Sequence, residues 1–173
     1  DAVIAHNTIV GVQEAAIRFD DGLGSSGRSL LAEDVTIANN LTWSNDTLFV
    51  GAEGANWTWE GNLAFGPDLG EGAGNPGSTV ADPQMVFGTD GVWRLTSAST
   101  AAIDGGVSGY SGLLTNDMDG QPRIGAFDIG ADEYYDVSAQ VFRKPLNADD
   151  VGPETWSITE PDPDPDPDPG ISP

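Results

Sequence analysis

The sequence predicts an all-β chain, the last coils of a right-handed parallel β-helix followed by an irregular C-terminal cap, and three observations carry that prediction. Short β-branched or aromatic runs broken by Gly, Asn, Asp and Pro fill the chain, while helical periodicity is scarce. One unit, an alternating apolar strand, an Asn and a second strand, recurs near the N-terminus. After that repeat stops, Asp-rich turn segments follow, as a stacked repeat needs where its last rung would leave an open sheet edge.

The repeat is read from Val3–Val10, Val35–Trp43 and Trp57–Phe65, whose aligned asparagines are Asn7, Asn40 and Asn62, separated by 33 and 22 residues. Repeats of about 20 to 30 residues belong to solenoids, in which each coil buries its face only against its neighbours. The longer first step is expected from a loop over residues 20–27, rich in Gly, Ser and Asp. A further strand, Ala15–Phe19 in the first coil and Thr47–Val50 in the second, gives three faces per coil. Asn is expected at the corner because it tolerates left-handed dihedrals, and because its amide can bond the same amide one rung away, about 4.8 Å along the stack.

After Phe65 the spacing is lost. Val80–Phe87, Gly91–Leu95 and Ser97–Asp104 read as the start of the cap, and Thr115–Arg123 and Asp128–Tyr134 continue it. The expected organisation is coils over 1–95, cap over 96–135, an extension packing on the helix over 136–158, and a disordered Pro-Asp linker over 159–173. In that linker a φ-locked residue alternates with a repelling charge, which keeps it extended and implies a further domain or anchor after it.

Among 173 residues there are 28 acidic and 6 basic side chains, for a formal charge of −22. A field of that sign repels phosphate backbones, so nucleic acid is not an expected partner. No run approaches the roughly 18 to 20 apolar residues that span a bilayer. Cysteine is absent, which removes disulfides, thiolate catalysis and Cys-ligated zinc. Metalloprotease, P-loop and serine-hydrolase motifs are also missing.

The order of the pieces resembles the C-terminal third of polysaccharide lyase family 6, the bacterial group of alginate lyases and chondroitinase B. The stretches that carry the resemblance are Val3–Thr8, Val35–Asn40, Trp59-Glu60-Gly61-Asn62, Asp82-Pro83, Ala102-Ile103-Asp104, Asp117-Met118-Asp119-Gly120-Gln121-Pro122-Arg123, Asp128-Ile129-Gly130-Ala131-Asp132-Glu133, Arg143–Leu146 and Asp150–Pro153. The Asp-Gly-Gln-Pro-Arg and Asp-Ile-Gly-Ala-Asp-Glu elements are shared by secreted β-helix proteins of diverse activity; the Arg-Lys-Pro-Leu to Val-Gly-Pro extension points to the alginate lyase-like group. The resemblance implies a secreted, periplasmic or envelope protein that degrades an acidic polysaccharide, alginate first, by β-elimination. It also implies that the catalytic lysine and arginine, and a calcium ion, sit on coils upstream of this chain. No catalytic or metal-ligating residue and no cofactor is therefore expected here, and this piece alone is expected to be inactive. A non-catalytic carbohydrate-binding or adhesive β-helix and a chondroitinase-type lyase are the alternatives.

Two residues are candidate substrate contacts. Arg18 lies between Ile17 and Phe19 in a strand and so points outward, free either to pair with a uronate carboxylate or to meet Asp20 or Asp21. His6, the sole histidine, stands beside a corner Asn, suited to packing in the turn or to touching sugar. Arg94 and Arg123 are expected to form buried ion pairs within the cap. Asp117-x-Asp119-Gly120 is open to turn capping or to a calcium loop, with the later ligands of an EF-hand missing. Trp57 and Trp59 share a face, for packing or for stacking on sugar rings.

Overall fold

The computed structural model describes residues 2–19, 31–51, 54–70, 77–110, 112, 114–136 and 138–143. The chain divides into two units, Asp1–Arg143 and Lys144–Pro173. Every described residue belongs to the first, so the linker, most of the extension and the loop over residues 20–27 lie outside the described residues.

The first unit is all-β, built from short, mainly parallel sheets. Strands β1 (Ala2–Ala5), β2 (Thr8–Val10) and β3 (Ile17–Phe19) each open a different sheet, and β4 (Val35–Ala38), β5 (Leu41–Trp43) and β6 (Phe49–Gly51) revisit the three sheets in the same order. Strands β7 (Thr58–Glu60) and β8 (Asn62–Phe65) begin a third pass, completed by a parallel bridge from Phe49 to Gly70. All of these pairings are parallel. Strand β9 (Ser78–Val80) adds a fourth parallel layer to the second sheet, setting Ser78 beside Asn62. The sequence reading ended the repeat at Phe65; the extra layer escaped it because Ser replaces Asn and the step shortens to 16 residues.

Register explains why these residues are strands. Ile4, Ile37 and Trp59 are aligned across the first sheet and face inward, as do Ile17 and Phe49 in the third. From the second sheet, Ile9 and Ala64 join the same apolar cluster. Trp57 and Trp59 pack against it too, with ring centres 4.3 Å from Phe19 and 5.1 Å from Phe49 respectively. Of the two roles open to this pair, interior packing is the one observed. Each fully buried aliphatic side chain of such a row contributes about 1.5–3 kcal/mol.

The corner amides form the expected ladder. Asn7 Nδ2 donates to Asn40 Oδ1 at 2.9 Å, and Asn40 Nδ2 donates to Asn62 Oδ1 at 3.1 Å. Asn7, Asn40 and Asn62 also donate from Nδ2 to the Ala5, Ile4 and Ile37 carbonyls respectively. The left-handed residue, however, is not the stacked Asn but the one before it: His6, Asn39 and Gly61 have φ of 54°, 54° and 62°. The turn therefore divides its two requirements between adjacent positions, left-handed backbone first and amide rung second. At another corner the two requirements fall on one residue: Asp34 and Asn56, 22 residues apart, are both left-handed and Asn56 Nδ2 donates to Asp34 Oδ1 at 2.9 Å.

The second sheet is apolar on both faces, as expected of a strand covered on both sides. Its outward row, Leu41 and Leu63 with Val10 and Trp43, forms another cluster with Met85, Leu95, Ala102 and Ile129. Residues 85–134 thus supply a cover for this outward face. It begins with an antiparallel hairpin of β10 (Val86–Phe87) and β11 (Trp93–Arg94) and continues through turns and a 3-10 helix, Ser108–Tyr110.

Candidate functional site

The covering segment is held by two buried ionic networks, each built around one arginine. Arg123 follows a turn in which Asp117 Oδ1 accepts the backbone N–H groups of Asp119 and Gln121 at 3.0 and 2.7 Å, the turn-capping role open to Asp117. Its guanidinium, 1% exposed, donates to the Gly130 and Ala131 carbonyls at 2.8 and 2.9 Å and pairs with Glu133 at 3.3 Å. Glu133 in turn accepts the N–H groups of Ile124 and Asp128, and Asp128 accepts those of Asp104 and Tyr134. Burial raises both the Asp128 and the Glu133 carboxyl above the usual range.

The loop that Arg123 organises docks directly on the strands. Gly130 N donates to the Asn39 carbonyl at 2.8 Å and Ala131 N to Thr8 Oγ1 at 2.9 Å. Gly130 is required here: its φ is +106°, and a Cβ would lie 2.5 Å from Thr8 Oγ1 and 3.2 Å from Leu41 Cβ. The Asp-Gly-Gln-Pro-Arg and Asp-Ile-Gly-Ala-Asp-Glu elements therefore act as one unit, the arginine of the first fixing the carbonyls of the second.

Arg94, from β11, anchors the other network. Its guanidinium bonds Asp90 at 2.8 Å and both oxygens of Asp119, and lies 3.8 Å from Asp132 Oδ1. Its other face meets the Phe142 ring at 4.8 Å. Asp117, Asp119 and Asp132 bring one carboxylate oxygen each within 4.8 Å of one another, and all three are buried. Asp132 Oδ2 accepts the Leu95 N–H at 2.9 Å, whereas Oδ1 has no hydrogen-bond donor among the described residues. Burial drives the Asp132 carboxyl up to about 7, against the pull of the Leu95 N–H and of Arg94, with Asp117 and Asp119 adding to the rise. Buried ion pairing of Arg94 and Arg123, expected from the Asp-rich surroundings, is what the structure shows. Asp132 was missed as a neighbour of Asp117, since only folding brings the second motif onto the first.

His6 and Arg18, the two candidate substrate contacts, are placed very differently. His6 is 4% exposed at the first corner, with Nε2 accepting from Asn39 Nδ2 at 2.9 Å and its ring edge-on to Phe127. Burial, helped by the nearby Arg123 charge, lowers its pKa to about 4, so the ring is neutral at pH 7. It lines a cavity of about 180 Å³ with Asn116, Asp117 and Arg123. Arg18 points outward from β3, its side chain 61% exposed, and pairs with Glu14 at 3.4 Å. Asp20 and Asp21, the partners weighed from sequence, lie outside the described residues. No hydrogen bond or ion pair joins His6 to Arg18 among the described residues.

No family model, curated protein or solved structure matches this chain.

Proposed function

We propose that this chain is the C-terminal part of a secreted polysaccharide lyase acting on a polyuronate, alginate foremost, with its coils forming a right-handed parallel β-helix. The observation that carries the reading is that successive passes of the chain visit the same three parallel sheets in the same order, with an asparagine ladder at one corner. That architecture stacks side chains at fixed intervals along a face, as recognition of a linear polymer requires. The sequence resemblance supplies the substrate class.

β-Elimination needs a base to take the C5 proton, a cation to neutralise the adjoining carboxylate, and an acid to protonate the departing glycosidic oxygen as the C4–O bond breaks and a C4–C5 double bond forms. This chain has one lysine, Lys144, which lies outside the described residues. Its outward cation Arg18 sits on the third sheet and suits a uronate carboxylate at a peripheral position. The proton-transferring pair, and the calcium of such lyases, are assigned to coils that would precede Asp1. Polyanion binding against a net charge of −22 then relies on local cations at short, screened range.

The test compares this chain with one extended upstream by several coils, following the ultraviolet absorbance of unsaturated uronate ends on incubation with alginate. Product from the extended chain alone is expected. Product from the 173-residue chain would overturn the upstream assignment of the catalytic pair. Alginate binding without product from the extended chain would replace the lyase by a binding module.

A further inference from the structure

We propose that Asp117, Asp119 and Asp132 form a calcium site that couples two turns of the covering segment to β11. The inference departs from the expectation that this chain binds no metal, and it does not depend on the lyase reading.

Three features of the geometry argue for it. First, the ligand set is oxygen only, and a hard divalent cation takes carboxylate oxygens. The three oxygens lie within 4.8 Å of one another, close enough to share one cation, and Ca²⁺ accepts an irregular carboxylate set where Mg²⁺ demands a near-ideal octahedron. Second, Asp132, a member of this cluster, is 3% exposed and its Oδ1 has no hydrogen-bond donor among the described residues. A buried carboxylate oxygen without a donor is expensive, and Arg94 at 3.8 Å is beyond hydrogen-bond reach. A cation bound between the carboxylates supplies the missing partner. Third, Asp90, Asp119 and Asp132 all face the guanidinium of Arg94, which spends its hydrogen bonds on Asp90 and Asp119 and leaves Asp132 at 3.8 Å.

The carboxylates are also oriented in advance. Backbone N–H groups of Asp119 and Gln121 hold Asp117, the Arg143 N–H holds Asp119 at 2.7 Å, and the Leu95 N–H holds Asp132. Such outer contacts fix ligands without occupying every lone pair.

The experiment uses the whole 173-residue chain, stripped with chelator, titrated calorimetrically with CaCl₂ and with MgCl₂, and melted in each against NaCl of equal ionic strength. One Ca²⁺ per chain is expected, with a raised melting temperature, and Asp132→Asn should weaken binding by at least about tenfold. Asp104→Asn, an acid outside the cluster, should bind as wild type does. No stoichiometric calcium binding by the wild type, or equal binding by Asp132→Asn, would overturn the site. Equal affinity for magnesium would overturn its assignment to calcium. Should Asp132→Asn not fold, Asp117→Asn takes its place with the same expected loss.

Discussion

Asn40 is the middle rung of the ladder and shows how much one side chain carries. It accepts from Asn7 and donates to both Asn62 and the Ile4 carbonyl. Asn40→Ala leaves the buried Asn62 Oδ1 and the half-buried Ile4 carbonyl without this partner, and a loss of about 1–3 kcal/mol in urea unfolding is expected. An effect below about 0.5 kcal/mol, the range of an ordinary surface change, would mean that water replaces the rung. His6 and Asp132 have opposed proton linkages. The Asp132 carboxyl, raised from 3.8 to about 7, stabilises the fold fully below pH 4 and loses that contribution as pH rises through 7. The His6 ring, lowered from 6.5 to about 4, stabilises it fully above pH 6.5 and loses that contribution as pH falls through 4. Their slopes oppose each other between these limits. In calcium-free buffer, His6→Asn should therefore gain stability relative to wild type on going from pH 7 to pH 5, by about 1 kcal/mol after allowing for solvent in the cavity beside the ring. Identical pH profiles for the two proteins would show that His6 does not titrate against a buried state.

Strands and cover differ in how far the sequence reveals them. Period-two alternation and the spacing of Asn7, Asn40 and Asn62 made the stacked strands legible, because each strand's inward row is its own apolar row. The left-handed position was assigned one residue late, since Asn occupies both positions at the middle rung of the ladder, Asn39 and Asn40. The docking of the covering segment was not legible, because it rests on bonds such as Ala131 N to Thr8 Oγ1, 123 residues apart, that leave no local pattern. The same holds for Asp132, which meets Asp117 and Asp119 only once the two motifs fold together. Ion pairing by Arg94 and Arg123 was readable from charge complementarity alone. At this scale Arg123→Met is the decisive change. It strands Glu133 and the Gly130 and Ala131 carbonyls in the interior, and a loss of about 3–5 kcal/mol is expected. Hydrogen exchange should then quicken at Gly130 and Ala131 before it does in β4 and β5; uniform quickening would show that cover and strands open as one.

For the whole unit, the central claim is that successive passes of the chain lie in register, one strand apart, on three parallel sheets. The absence of cysteine permits a direct test by engineered disulfides, which need Cα atoms about 4.4–6.8 Å apart. Val3 pairs with Thr36, and Thr36 with Thr58, across the first sheet, while Arg18 pairs with Val50 across the third. Mild oxidation should close Val3→Cys with Thr36→Cys, and Arg18→Cys with Val50→Cys. It should leave Val3→Cys with Thr58→Cys open, since two strand spacings separate them by about 9.6 Å. Closure of that last pair, or failure of the first two, would contradict the stacked arrangement on which the site and the proposed function both rest.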